Sequence, residues 1–206
     1  GRLALVRTND AQGYLEVDLA SPVQALSGIR TALYPLFLRF VGAVSPSYAL
    51  LPPLQLLVHL AGVAAFYTCV VKVFPSRWAA LAFASVLLWE KLAFRYASHM
   101  LADVLATSLA TVAIGLLLAI AGAPRARRAW IALGVTAFLC WQARPVYVFL
   151  VVLLPLLAWP LRVLLGGSGR EGRRVGLGLL GLLATPVLLF CTARAALVGH
   201  FGITSL

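Results

Sequence analysis

From residue 49 to residue 197 one apolar run follows another, broken only by short charged or proline-containing joints. A bilayer core of about 30 Å needs about 20 apolar residues as helix. Backbone polar groups inside that core must bond within the protein, which favours helices for runs of this length. Six candidate spans result: 49–71, 78–92, 101–121, 129–143, 146–165 and 175–197. The composition agrees. Hydrophobic residues make up 62% of the chain and charged residues 11%, where soluble domains hold about 45–50% and about 25%. The expected fold class is therefore all-α: a polytopic membrane helical bundle of about six transmembrane helices, with interfacial helices in an N-terminal extracytoplasmic loop. The expected division is a loop over 1–47 and a transmembrane domain over 48–206.

Pro52 and Pro53 fall in the first turn of the first span, where a missing N–H costs little. Arg144-Pro145 parts the fourth span from the fifth with almost no loop. Spans two and four are short, which leaves room for a polar cavity at one face. The joints at 72–77, 123–128 and 162–174 carry Lys72, Arg77, Arg125, Arg127, Arg128, Arg162, Arg170, Arg173 and Arg174 against the single acid Glu171. That excess marks the cytoplasmic side. Asp10, Glu16, Asp18, Glu90 and Asp103 fall on the other.

Residues 1–47 are too polar to span and too apolar for a free loop. Asn9 with Gln12 three residues on has the form of an N-cap and capping box, predicting a helix over 10–20 stopped by Ser21-Pro22. "YPLFLRFVGAV" at 34–44 predicts a second short helix; both read as lying in the membrane interface. In "EKLAFRYASHMLADVL", Arg95, His99 and Asp103 recur every four residues and so share one face of a single helix. Ionisable groups at a span are costly and are paired or functional. Two readings stand for each. Asp10 is a catalytic carboxylate or a solvated acid at a helix start. Arg30 grips a phosphate or touches lipid headgroups. Arg95, His99 and Asp103 form a site or a packing ion pair. Arg144 binds substrate or snorkels. Trp130, Trp141, Tyr147 and Trp159 fit an aromatic belt.

Cys69, Cys140 and Cys191 sit in apolar runs at no metal-binding spacing and read as buried packing residues. "GGSGREGRR" at 166–174 follows no strand and reads as a flexible loop. Carboxylates (Asp10, Asp103) and guanidinium groups (Arg30, Arg95, Arg144) on one side suit a reaction with a lipid phosphate as leaving group. Guanidinium pairs with phosphate, and an oriented carboxylate accepts a hydroxyl proton.

At these residues a family likeness emerges. "NDAQGYLEVDLA" and "GIRTALYPLFLRFVGAVSPSYALLPPLQLL" resemble the first extracytoplasmic loop and following span of GT-C polyprenyl-phosphate-sugar glycosyltransferases, of the protein O-mannosyltransferase and lipid A aminoarabinose transferase types. "RYASHMLADVL" and "GVTAFLCWQARPVYVFL" resemble a later loop and the "RP" turn of that family, and "GHFGITSL" a further outer segment. The resemblance implies a glycosyltransferase taking sugar from a polyprenyl phosphate, in the bacterial inner membrane with its active face extracytoplasmic. It implies Asp10 and Asp103 as catalytic acids, and Tyr14, Arg30, Tyr34, Arg95, His99 and Arg144 as substrate-binding residues. Asp10 matches the loop carboxylate, Arg30 the basic residue near the lipid phosphate, and Arg144 the arginine of the turn. The Asp-Glu pair of the mannosyltransferases is absent, and Ala32 stands where the family often has Pro.

The expected partners are the polyprenyl-phosphate sugar donor, membrane lipids and an acceptor of unassigned type, with no nucleic acid. No spacing requires a cofactor; a divalent metal is compatible with Asp10 or Asp103. The start at Gly1 and the absence of the family's first span lead to the expectation that this is a fragment of a longer or processed chain. The alternatives are a transporter or flippase for a lipid or anionic substrate, and a non-catalytic membrane subunit.

Overall fold

The computed structural model describes residues 5, 6, 9–17, 21, 23, 26, 31–74, 76–89 and 91–203, with the side chains of residues 9, 10, 91 and 92 outside that description. Among the described residues the chain is helical, apart from one isolated bridge between Val6 and His99. The helices are α1 (Asn9–Leu15), α2 (Leu33–Val44), α3 (Leu51–Val70), α4 (Arg77–Leu88), α5 (Lys91–Ala97), α6 (Asp103–Gly122), α7 (Arg127–Ala143), a 3-10 turn (Pro145–Phe149), α8 (Leu150–Leu164) and α9 (Gly169–Val198).

Four helices are long and apolar enough to cross a membrane: α3, α6, the 3-10 turn with α8 (Pro145–Leu164), and α9. The expected count of about six is not confirmed among the described residues. At 12 residues α4 is about 18 Å long, and at 17 residues α7 is about 25 Å, both short of a 30 Å core. The predicted span at 78–92 ends at Leu88, and the helix resumes at Lys91.

The hub is α6. Of its apolar stretch 61% is buried, against 33% for α3 and 28% for α9. Its buried face is built of small residues (Ala106, Ser108, Ala110, Ala113, Gly115), which let the neighbouring backbones come close. A Cβ on Gly115 would lie 3.0 Å from Phe66 Cα on α3, and one on Gly62 would lie 3.1 Å from the Ser108 carbonyl oxygen. On the other side α7 seals against α6 through the buried Cys140 thiol, which donates to the Ala106 carbonyl. α8 and α9 close the bundle, with Gly172 and Gly176 facing the carbonyls of Trp159 and Pro155.

Two buried polar residues on α3 organise the opposite flank. Gln55 and His59 are one turn apart and almost fully buried. His59 Nε2 lies 3.1 Å from the Leu87 carbonyl at the end of α4. Gln55 Nε2 donates to the carbonyls of Ala97 (3.2 Å) and His99 (3.0 Å), where α5 ends. Helix ends leave carbonyls without intrahelical partners, and in a membrane those must be satisfied by protein. The broken pair α4–α5 is thus held to α3 at both of its carboxyl ends.

Two local expectations change. Residues 169–174, read as loop, form the first turns of α9, because Ser168 and Glu171 close a full capping box. The first short helix is Asn9–Leu15 rather than 10–20. Gln12 there donates to Glu16 Oε1 (2.7 Å), one turn ahead, instead of turning back to its helix start. The second short helix, α2, matches the predicted 34–44 closely.

Two substitutions check this packing by thermal unfolding in detergent. Gly115→Val should destabilise by about 1–3 kcal/mol, since the obstructing atom is backbone. His59→Leu should cost about 1 kcal/mol through loss of its bond across helices.

Candidate functional site

One end of the bundle gathers the joints at 72–76, 123–126 and 165–168, and with them most of the cations. The other end gathers the start of α3, the 98–102 turn, the Arg144-Pro145 joint and the end of α9. The candidate site lies at this second end.

Asp103 opens α6 in its first turn, where a carboxylate is favoured by the helix dipole. Arg144 stands in extended conformation between α7 and the 3-10 turn, because Pro145 bars continuation of the helix. The two side chains form an ion pair, Arg144 Nη1 to Asp103 Oδ1, at 41% and 32% exposure. Both are thus open to a ligand. One turn along α6, Thr107 Oγ1 meets the Tyr147 hydroxyl at 3.0 Å, so the same two elements are tied twice. The partner of Asp103 is thus Arg144, from a distant joint, where the sequence pattern offers Arg95. The expected common face of Arg95, His99 and Asp103 is not formed. α5 stops at Ala97 and α6 starts at Asp103, so a turn separates them. Arg95 is exposed and forms no ion pair with Asp103.

His99 sits in that turn, half-buried. Its Nδ1 lies 2.9 Å from the Arg95 carbonyl, which makes Nδ1 the protonated nitrogen, and its ring meets Tyr96 edge-on at 5.6 Å. The turn is clamped from outside as well. Val6 N–H donates to the Ser98 carbonyl (2.8 Å), and Met100 N–H donates to the Val6 carbonyl (3.2 Å).

Tyr14 and Tyr34 are both buried, their rings edge to face at 4.8 Å. They belong to a cluster with Ala11, Leu51, Met100 and Ala102, which seats α1 and α2 beside the start of α6. Burial pushes the Tyr34 phenol above its ordinary pKa, with the neighbouring Tyr14 adding to the shift. Its hydroxyl has no hydrogen-bond partner among the described residues. The backbone of Asp10 lies in α1, at this end; its side chain, and the whole of Arg30, lie outside the described residues. Among the described residues no three His, Cys, Asp or Glu side chains gather to hold a metal ion.

Sequence reading passed over three residues. Thr107 looked like any span residue, and Tyr147 like part of an aromatic belt. Arg194 looked like a span end, yet it is fully buried. Its Nη1 donates to the Gly202 carbonyl (2.8 Å), while Nε and Nη2 have no partner among the described residues. Placement follows from the Trp141–Phe190 ring contact at 5.1 Å. Arg144 lies three residues beyond Trp141 and Arg194 four beyond Phe190, on two helices running in the same direction. Trp141 itself is buried rather than part of a belt.

A half-exposed ion pair is worth little to stability. A double-mutant cycle of Asp103→Asn and Arg144→Gln, read by thermal unfolding, should give a coupling below about 1 kcal/mol. Loss of any activity in these variants would then not be loss of fold. No family model matches this chain, and neither a curated protein nor a solved structure does.

Proposed function

We propose that this chain is the membrane part of a glycosyltransferase that moves a sugar from a polyprenyl-phosphate donor to an acceptor hydroxyl at the Asp103–Arg144 end. The observation that carries the reading is the accessible pair of an acid and a guanidinium, brought from separate helix ends to one place. The motif resemblance over the same residues supports it.

In this reading the acceptor oxygen attacks the anomeric carbon as the bond from that carbon to the phosphate oxygen breaks. The hydroxyl proton passes to a carboxylate, Asp103 or Asp10. The polyprenyl phosphate leaves with the bonding electron pair. A guanidinium carries five donors in a planar fork, more than one carboxylate uses, so Arg144 has capacity for the departing phosphate while it still orients Asp103. Donors placed where charge develops lower the barrier. Arg95 is exposed at the same end and adds a second cation. The half-buried Tyr147 shapes the wall beside it.

One observation favours a second reading, transport of an anionic or lipid substrate: α4 and α5 form a broken crossing, a feature of many transporters. Both readings meet one experiment. Membranes carrying the full-length protein are given a labelled polyprenyl-phosphate sugar and candidate acceptors. Asp103→Asn and Asp10→Asn should each be compared with wild type, and at least one should lose transfer by about 10²-fold or more. Full transfer in both variants removes the carboxylates from the mechanism. Lipid or anion flux across vesicles without any transfer assigns the site to transport.

A further inference from the structure

The basic end holds a cavity of about 570 Å3. It opens where α3, α6 and α7 meet, with Leu165 at the end of α8 as the fourth wall. Two cations line it, Lys72 just past α3 and Arg128 in the first turn of α7. Both are exposed, and among the described residues neither pairs with a carboxylate. Below them the lining turns apolar. Leu116 and Ala132 lie more than a turn inside their helices, at a depth of about 6–9 Å from the helix ends. Cys69 lines the same wall one residue from the end of α3.

The neighbouring cavity, about 440 Å3, is built differently. Its Arg162 donates to the Ala121 carbonyl (3.3 Å) and pairs with Glu171 (3.0 Å), so part of its charge is spent within the protein. The larger cavity keeps both of its cations free for an outside anion, and joins them to an apolar floor within the depth of the spanning helices. A soluble phosphate satisfies the first feature only. A molecule with an anionic head and a hydrocarbon tail satisfies both.

We infer that the Lys72–Arg128 cavity binds an anionic phospholipid of the adjoining leaflet, its phosphate between Lys72 and Arg128 and an acyl chain over Leu116, Ala132 and Leu165. This site is separate from the Asp103–Arg144 end and does not depend on the transfer reaction.

Cys69 supplies the probe, because it is the one cysteine that is not buried; Cys140 and Cys191 are. The full chain is reconstituted in vesicles of phosphatidylcholine, or of phosphatidylcholine mixed with phosphatidylglycerol, and Cys69 alkylation by an uncharged maleimide is timed. The rate should fall several-fold when phosphatidylglycerol is present, and should not change when inorganic phosphate is added to the phosphatidylcholine vesicles. Lys72→Gln with Arg128→Gln should abolish the protection, while Arg170→Gln with Arg173→Gln, at the same end but outside the cavity, should keep it. Equal rates in the two vesicle types overturn the site without recourse to any variant. Protection by inorganic phosphate alone overturns the lipid assignment. Protection lost equally in both double variants reduces the effect to general surface charge, and protection kept in Lys72→Gln with Arg128→Gln overturns the headgroup contact.

Discussion

The fold turns on the need to satisfy carbonyl groups where a crossing is interrupted. α4 stops at Leu88 and α5 resumes at Lys91, so two helix ends present carbonyls without intrahelical partners. His59 and Gln55 answer them from one face of α3, and that face is then committed: it must be buried and must keep its register against α4 and α5. The other side of α3 is committed to α6 by the near contact of backbones at Gly62 and Gly115. Between these constraints α3 has no freedom to slide, and the position of the 98–102 turn follows. That turn delivers Asp103 to the start of α6, where Arg144 meets it.

Much of this was legible in the sequence, and for physical reasons. Bilayer-length runs of apolar residues have few alternatives to helix, and Pro145 after Arg144 forces a break wherever it stands. The cost of ionised groups near a membrane core called for a partner to Asp103, but the sequence offered Arg95, and the structure supplies Arg144. What failed was the assumption of continuity. A repeat of four from Arg95 to Asp103 predicts one helical face only if the helix is unbroken, and nothing local announces that α5 ends at Ala97. The acceptors that make the break tolerable are answered from residues 55 and 59, some forty positions earlier in one case, and a local pattern does not carry that information. The loop reading of 166–174 erred in the reverse sense. Glycine content suggested flexibility, while Ser168 and Glu171 at capping-box spacing specified a helix start.

Charge at the two ends is used differently. At the basic end most arginines are exposed and Glu171 is already engaged, so that surface presents a field more than a constellation. At the other end three charges have individual surroundings: one acid at a helix start, one arginine at a proline break, and one arginine buried beside Gly202 with two guanidinium nitrogens unpartnered among the described residues. Arg194 shows how weakly sequence reports such placement, since a cation at the end of a hydrophobic stretch ordinarily reaches for water.

The bridge between Val6 and the 98–100 turn bears on how the chain is put together. Val6 leaves the ribosome long before the peptide groups it will join. It can reach them only after α3 and the α4–α5 pair have been inserted and the turn has emerged on the same side of the membrane. The amino-terminal segment therefore docks there only once that turn is in place, beside the start of α6, where α1 and α2 are seated. An error in the insertion of those early helices would leave that segment with nothing to grip, which makes its docking a natural mark of correct topology.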